Sequence, residues 1–233
     1  MYRTEKDTTI SFLKTTRPNI AFIILEGWSS YEIKSFGGDN FAPFLDSLSY
    51  QGIRFTKMYP AGYVSDQGVA GILSSFPAAP QTCVINQSSK SAKLNCINED
   101  LKKEGYQSGF IYATDLNWSN FKSYVYNKKF DVIKAEKDID PSIPRGRLGV
   151  HDGEMAKEYL KFLNNAKPPF VYVWFTLSTH LPYDFPLEKK NLTAYENDYV
   201  NGITYADKSL QHFFNDAKKQ SWYKNTLFVI VSD

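Results

Sequence analysis

Short apolar runs without alternation recur along the chain, separated by longer segments in which apolar residues have helical spacing. The runs lie at 20–25, 108–113, 170–177 and 225–231, and the helical spacing at 41–48, 153–164 and 199–218. Unbroken runs are typical of strands that are covered on both faces, as in a parallel sheet. The regular alternation of such strands with helices predicts an α/β fold with a mostly parallel central sheet.

Acidic residues follow the first and the last of these runs. Glu26 comes directly after the run at 20–25, and Asp233 comes two residues after the run at 225–231. In open α/β sheets the carboxyl ends of the strands line the ligand crevice, so both acids are placed to reach a metal or a substrate. The alternative for Glu26 is that it is only the first solvated residue after a buried strand.

The segment between residues 40 and 77 predicts a helix, a strand and a second helix. Asn40 is predicted to cap a helix whose apolar residues share one face, and 53–59 alternates like a half-buried strand. A small-residue helix then starts at Ser65 or Asp66. A hydroxyl at a helix N-terminus can become a nucleophile, because the helix dipole and free N–H groups favour an alkoxide. The alternative for Ser65 is ordinary N-capping.

Composition narrows the class of protein. The 233 residues carry 27 basic and 25 acidic side chains, mixed along the chain, for a net charge of +2. This mixing favours neither a nucleic-acid partner nor a polybasic membrane patch. The chain has no apolar run of about 18 residues and no signal-peptide pattern at its start. Cys83 and Cys96 flank a polar loop, which leaves a disulfide or two free thiols as alternatives.

Four stretches in this order and spacing resemble a known family. They are the strand ending in Leu25-Glu26, the helix with A-P-F-L-D-S-L, the G-I-R-F-T segment, and S-D-Q-G leading to L-S-S-F-P-A-A-P. Together they resemble lipoteichoic-acid-synthase-like phosphoglycerol transferases of the sulfatase and alkaline phosphatase superfamily. The resemblance implies a three-layer α/β/α sandwich. It assigns residues 19–233 to a sulfatase-like domain whose C-terminal part is missing. Residues 1–18 are polar and basic and end in Arg17-Pro18, which predicts a linker or extended arm.

The same resemblance implies a metal-dependent nucleophile. It places Glu26, Ser65 and Asp233 around a divalent cation, with Mn²⁺ favoured and Mg²⁺ or Zn²⁺ as alternatives. The family's nucleophile is usually a Thr, often preceded by Arg, whereas Ser65 here follows Val64. A register one residue earlier would put Val64 at the site and imply an inactive protein. In the superfamily a metal-binding His and a Gly follow the Asp, so we expect this chain to be weakly active or inactive.

Further residues match the family's substrate site. His180, in S-T-H-L-P-Y, corresponds to a His that contacts the phosphoryl group or the leaving oxygen. Lys122, with Asp115 and Trp118 nearby, matches a basic and an aromatic residue that hold the glycerol-phosphate group. A Lys offers a point charge rather than the fork of an Arg, and a solvated Lys is the alternative. Asp152 is expected to cap a helix at 153–164, and a structural role is preferred to a metal assignment for the neighbouring His151.

The resemblance implies phosphoryl or phosphoglycerol transfer to or from a lipid headgroup or a cell-envelope glycan. It also implies an extracytoplasmic location in a bacterial membrane-anchored protein, with membrane contact through a segment outside this chain. Two alternatives stay open: a sulfatase-type ester hydrolase, and a binding domain that keeps the fold without the chemistry. The C/S-x-P-x-R string of common sulfatases does not occur in the sequence.

Overall fold

A computed structural model describes residues 13–186 and 196–233. Residues 1–12 of the predicted arm lie outside this range. Within it, the chain forms a five-stranded sheet and seven α-helices. The strands are β1 (Asn19–Leu25), β2 (Gln107–Tyr112), β3 (Val132–Lys134), β4 (Phe170–Phe175) and β5 (Thr226–Ser232). The helices are α1 (Pro43–Ser49), α2 (Ser65–Ser74), α3 (Ser88–Ser91), α4 (Ile97–Lys103), α5 (Phe121–Asn127), α6 (Asp152–Asn164) and α7 (Glu196–Ala217).

All pairings in the sheet are parallel, in the order β3-β2-β4-β1-β5. The apolar runs at 20–25 and 170–177 supply its central strands β1 and β4, whose side chains are almost entirely buried. Leu25 pairs with Ser232 in the β1–β5 register, so Glu26 and Asp233 leave the sheet side by side. The predicted parallel sheet is confirmed.

Helices cover both faces of the sheet. Trp174 of β4 packs against Tyr159 of α6 and Phe213 of α7, with ring centroids 5.5 and 6.3 Å apart. The next residue along β4, Phe175, stacks on Phe121 of α5 at 6.0 Å. Successive residues of a strand point to opposite faces, so α5 lies across the sheet from α6 and α7. The predicted α/β/α sandwich is confirmed.

The half-buried strand predicted at 53–59 is wrong. The segment has no strand conformation, and Ile53, Phe55 and Tyr59 are 58%, 70% and 81% exposed. Alternation prepares one face of a strand for burial, but a strand also needs a hydrogen-bonded neighbour. Neither edge strand of the described sheet pairs with this segment.

Both predicted helix caps are also wrong. α1 begins at Pro43 rather than after Asn40, and its N-terminal N–H groups donate to the distant carboxylate of Asp207 in α7. Asp152 is the first residue of α6, and its carboxylate accepts hydrogen bonds from the chain after β4 instead of capping its own helix.

Two further expectations concern the state of the cysteines and the presence of a membrane-spanning helix. Cys83 and Cys96 are free thiols, which decides between the alternatives left by the sequence. Among residues 13–186 and 196–233, no helix combines the length and apolarity that a bilayer crossing requires.

Candidate active site

Glu26 lies at the C-terminal end of the central strand β1, where the chain turns away from the sheet. Its side chain is only 7% exposed, so it is not simply the first solvated residue after the strand. The residues after β4 hold its backbone on both sides. The Glu26 N–H donates to Thr176 Oγ1 at 2.9 Å, and Thr179 Oγ1 donates to the Glu26 carbonyl oxygen.

Ser65 presents its hydroxyl to this carboxylate. Its Oγ lies 3.3 and 3.2 Å from the two carboxylate oxygens of Glu26 and donates a hydrogen bond to them. Ser65 is the first residue of α2, while the extended residue before the helix is Val64, which provides no side-chain cap. The N-capping alternative for Ser65 is therefore wrong: its hydroxyl faces the end of β1.

Asp233 completes a group of three oxygen-bearing side chains. Its Oδ1 accepts the Gly27 N–H at 2.8 Å, and its backbone N–H donates to the Leu25 carbonyl at 3.2 Å. Its Oδ2 is buried and has no hydrogen-bond partner among the described residues. Burial, and then the negative charge of Asp233, raise the pKa of the Glu26 carboxyl to about 8.

This donor set fits a divalent cation. Two carboxylates and a hydroxyl are hard oxygen ligands of the kind that Mg²⁺ and Mn²⁺ take. A cation there would satisfy the unpaired Oδ2 of Asp233 and offset the repulsion that raises the pKa of Glu26. No group of three or more His, Cys, Asp or Glu side chains able to hold a metal occurs in the described part of the chain, so the acidic side chains here are the pair Glu26 and Asp233.

Gly68 helps to form the site by allowing a close backbone contact, a role that was not predicted from the sequence. A Cβ built on Gly68 would lie 2.5 Å from the carbonyl oxygen of Asp233 and 2.9 Å from its Cα. These are backbone atoms that cannot rotate away. The glycine of S-D-Q-G therefore lets the first turn of α2 approach the end of β5, which brings Ser65 to the two carboxylates.

Gly68→Ala is accordingly expected to separate α2 from Asp233. We expect the affinity for a divalent cation, measured by calorimetry, to fall about tenfold or more, and the free energy of unfolding to fall by about 1–3 kcal/mol. Gly52→Ala, whose added Cβ meets nothing within 4 Å, is the matched control and should behave like the wild type. Unchanged affinity in Gly68→Ala would contradict this account of the close approach.

His180 follows β4, the neighbour of β1, at the same edge of the sheet. Its backbone N–H donates to the Leu177 carbonyl at 2.9 Å, and its ring is exposed. Nδ1 lies 2.7 Å from the Leu181 carbonyl oxygen, which can only accept a hydrogen bond. Nδ1 therefore carries a proton, which leaves Nε2 to accept a proton in the neutral ring or to donate one in the charged ring.

The predicted headgroup-binding residues follow β2, the strand next to β4, at the carboxyl ends of the strands. They are Asp115, Trp118 and Lys122. Lys122 Nζ donates to Asn117 Oδ1 at 3.2 Å, and Asp115 Oδ1 accepts from the Asn117 backbone and side chain at 2.9 and 2.8 Å. These hydrogen bonds lower the pKa of Asp115. Trp118 is 68% exposed. The three residues form a solvent-facing group of their own, with no hydrogen bond to Glu26, Ser65 or Asp233 in the described structure.

A family model described as Sulfatase matches residues 18–233. The chain belongs to the sulfatase family. This sulfatase-family chain is 26% identical over 241 residues to lipoteichoic acid synthase 2 of Bacillus subtilis, covering 96% of this chain and 36% of that protein. It is 24% identical over 240 residues to phosphoglycerol transferase I of Citrobacter koseri, covering 93% of this chain and 31% of that protein.

A solved structure agrees with the fold. A protein of the alkaline phosphatase superfamily from Vibrio parahaemolyticus superposes with a TM-score of 0.85 at 30% identity, covering 94% of this chain and 55% of that one. By comparison, the sulfatase-family chain spans about a third of the length of the two curated relatives, lipoteichoic acid synthase 2 and phosphoglycerol transferase I. The predicted resemblance to the lipoteichoic-acid-synthase-like and phosphoglycerol transferase branch is confirmed.

Proposed function

We propose that this chain carries the catalytic residues of a metal-dependent phosphoglycerol transferase, with Ser65 as its nucleophile. The observation that carries the proposal is the Ser65 hydroxyl donating to Glu26 at 3.2–3.3 Å, beside the unpaired carboxylate oxygen of Asp233. The names of the relatives, a lipoteichoic acid synthase and a phosphoglycerol transferase, support this reaction class. The substrate is a phospholipid headgroup or a cell-envelope glycan rather than nucleic acid.

Ser65 forms the new bond in the first half of the reaction. Its Oγ attacks the phosphorus of a glycerophosphodiester, and the bond from phosphorus to the lipid's alcohol oxygen breaks. The Glu26 carboxylate is placed to receive the hydroxyl proton, and His180 Nε2 protonates the leaving alkoxide. The start of α2 directs its positive dipole end and free N–H groups toward the charge that develops there.

The second half returns the enzyme to its starting state. An acceptor alcohol attacks the glycerophosphoryl group on Ser65, giving up its proton to His180 Nε2, and the Ser65 oxygen leaves with a proton from Glu26. A divalent cation held by Glu26, Ser65 and Asp233 would supply Lewis-acid chemistry that acidifies the hydroxyl and neutralises phosphoryl charge. Mn²⁺ is the proposed ion, with Mg²⁺ or Zn²⁺ as alternatives.

Lys122, Trp118 and Asp115 are proposed to bind the glycerol-phosphate headgroup. Lys122→Ala removes a charge that would contact a phosphate oxygen, and we expect KM to rise roughly tenfold with kcat little changed. Lys122→Arg keeps the charge and should restore a KM close to that of the wild type. An unchanged KM in Lys122→Ala would mean that Lys122 is only a solvated surface residue.

The proposal places this domain outside the cytoplasm in a bacterial envelope protein, with the membrane reached through a segment outside this chain. The test is incubation of the longest chain that its gene encodes with phosphatidylglycerol vesicles and Mn²⁺. Release of diacylglycerol supports the transferase. Hydrolysis of sulfate esters instead would support a sulfatase-type hydrolase, and metal-free binding without turnover would support a domain that only recognises its ligand.

A further inference from the structure

Asp152 is a buried carboxylate at the start of α6 whose hydrogen bonds all point toward the active-site edge of the sheet. It is 1% exposed, and burial raises its pKa to about 6. Its Oδ1 accepts the Leu177 N–H at 2.9 Å, and its Oδ2 accepts the Ser178 N–H at 3.0 Å. In return, the Asp152 N–H donates to Ser178 Oγ at 2.8 Å. Asp152 and Ser178 are therefore joined by two hydrogen bonds, with each residue donating one.

The chain that Asp152 binds is the turn leaving β4. The Thr176 N–H still donates to the Ile24 carbonyl at 2.9 Å, as in the parallel ladder. The next two N–H groups, at Leu177 and Ser178, donate to Asp152 instead. The Leu177 carbonyl then receives the His180 N–H at 2.9 Å, which closes the turn. Asp152 thus supplies the hydrogen bonds that the sheet stops supplying at this point.

This turn, residues 176–180, contacts the Glu26 backbone and also carries His180. Thr176 Oγ1 accepts the Glu26 N–H, and Thr179 Oγ1 donates to the Glu26 carbonyl. His180 is its last residue. Because one short segment fixes the Glu26 backbone and presents the His180 ring, a shift of the turn would change their relative position.

We propose that Asp152 is a positioning residue, which sets the distance between Glu26 and His180 by holding the turn at 176–180. The significance of that distance for catalysis rests on the proposed function, whereas the control of the turn by Asp152 does not. Helix capping does not explain Asp152, because its carboxylate faces the β4 turn and not the N–H groups of α6. Nor does simple space filling, since a buried carboxylate must be compensated by hydrogen bonds.

The chain provides a matched control in Asp207 of α7. That carboxylate is 2% exposed and likewise accepts two consecutive backbone N–H groups, from Phe44 at 2.9 Å and Leu45 at 2.8 Å. It joins α7 to α1, and within the described structure it makes no hydrogen bond to Glu26 or His180. Asp152→Asn and Asp207→Asn each replace a buried charge by an amide that keeps one acceptor, so both should lower stability.

The first experiment follows the imidazole C–H signals of the three histidines by NMR without metal, in the wild type and in both variants. We expect the His180 signal to shift in Asp152→Asn and to stay in place in Asp207→Asn. The His151 signal is expected to shift whether or not the turn moves, because His151 adjoins Asp152. The exposed His212 provides an internal reference signal. If Asp152→Asn fails to fold, Ser178→Ala removes one of the reciprocal bonds and should shift His180 less.

A second readout is Mn²⁺ affinity, expected to fall about tenfold in Asp152→Asn and to stay unchanged in Asp207→Asn. A His180 signal and an affinity that both match the wild type in Asp152→Asn would overturn the proposal. If the wild type binds no Mn²⁺ and turns nothing over, the proposed function fails. A His180 shift confined to Asp152→Asn would then still support the control of the turn by Asp152.

Discussion

Ser65→Ala is expected to lower transferase turnover by roughly 10³-fold or more while leaving the chain folded. The substitution removes the protein atom that the proposed reaction joins to phosphorus, and loss of a nucleophile costs far more than loss of a binding contact. Mn²⁺ affinity should fall much less, because Glu26 and Asp233 keep their carboxylates. The measurement is the initial rate of diacylglycerol release from phosphatidylglycerol vesicles, beside the calorimetric affinity for Mn²⁺.

Two variants make this result specific. Ser74→Ala removes a hydroxyl at the other end of α2, where it shares a 2.6 Å hydrogen bond with the Tyr124 hydroxyl, and should keep full turnover. Ser65→Thr provides the residue that the family usually has at this position and should retain a substantial part of the activity. Equal turnover in Ser65→Ala and the wild type would remove Ser65 from the mechanism.

Glu26→Gln is expected to lower the affinity for Mn²⁺ roughly a hundredfold or more. It should also stabilise the metal-free protein at alkaline pH. The pKa of Glu26 is raised from 4.5 to about 8 in the folded chain. Between those values the folded state binds more protons than the unfolded state, so stability falls as pH rises. For the metal-free wild type we expect a loss on the order of a few kcal/mol from pH 4.5 to 8.

Urea denaturation in chelator at pH 5, 6.5 and 8 tests this prediction. The unfolding free energy of the wild type should decline across the series, and Glu26→Gln should flatten most of the decline. Burial also raises the pKa of Asp152 and Asp207, which adds a decline of the same sign, whereas burial lowers the pKa of His151, which opposes it. Higher stability of the metal-free wild type at pH 8 than at pH 5 would contradict the assignment of Glu26 as a buried acid facing Asp233.

Strand order and chain direction explain why the sequence could predict that Glu26 and Asp233 lie side by side. Glu26, His180 and Asp233 all follow buried apolar runs, and parallel strands bring their carboxyl ends to one edge. Ser65 was placed there by the family resemblance, because turn residues followed by a small-residue helix indicate only that a loop enters a helix N-terminus. The physics in these cases is local, and the family resemblance set the order.

Features that depend on partners far along the chain could not be predicted in this way. The N-terminus of α1 is capped by Asp207, more than 160 residues away, so the nearby Asn40 was a misleading signal. The apolar alternation at 53–59 indicates a strand face but provides no neighbouring strand. Gly68 and Asp152 were missed as contributors to the site because their roles lie in contacts with Asp233 and with the β4 turn.

In the proposed reaction Ser65 becomes covalently linked to the group it transfers. The most direct test of this linkage is mass spectrometry of the longest chain that the gene encodes, quenched in acid during turnover of phosphatidylglycerol with Mn²⁺. We predict a glycerophosphoryl group on the peptide that contains Ser65, present only with divalent metal and absent from Ser65→Ala. A turning-over enzyme whose Ser65 peptide stays unmodified, or one that carries the group on another residue, would contradict the account.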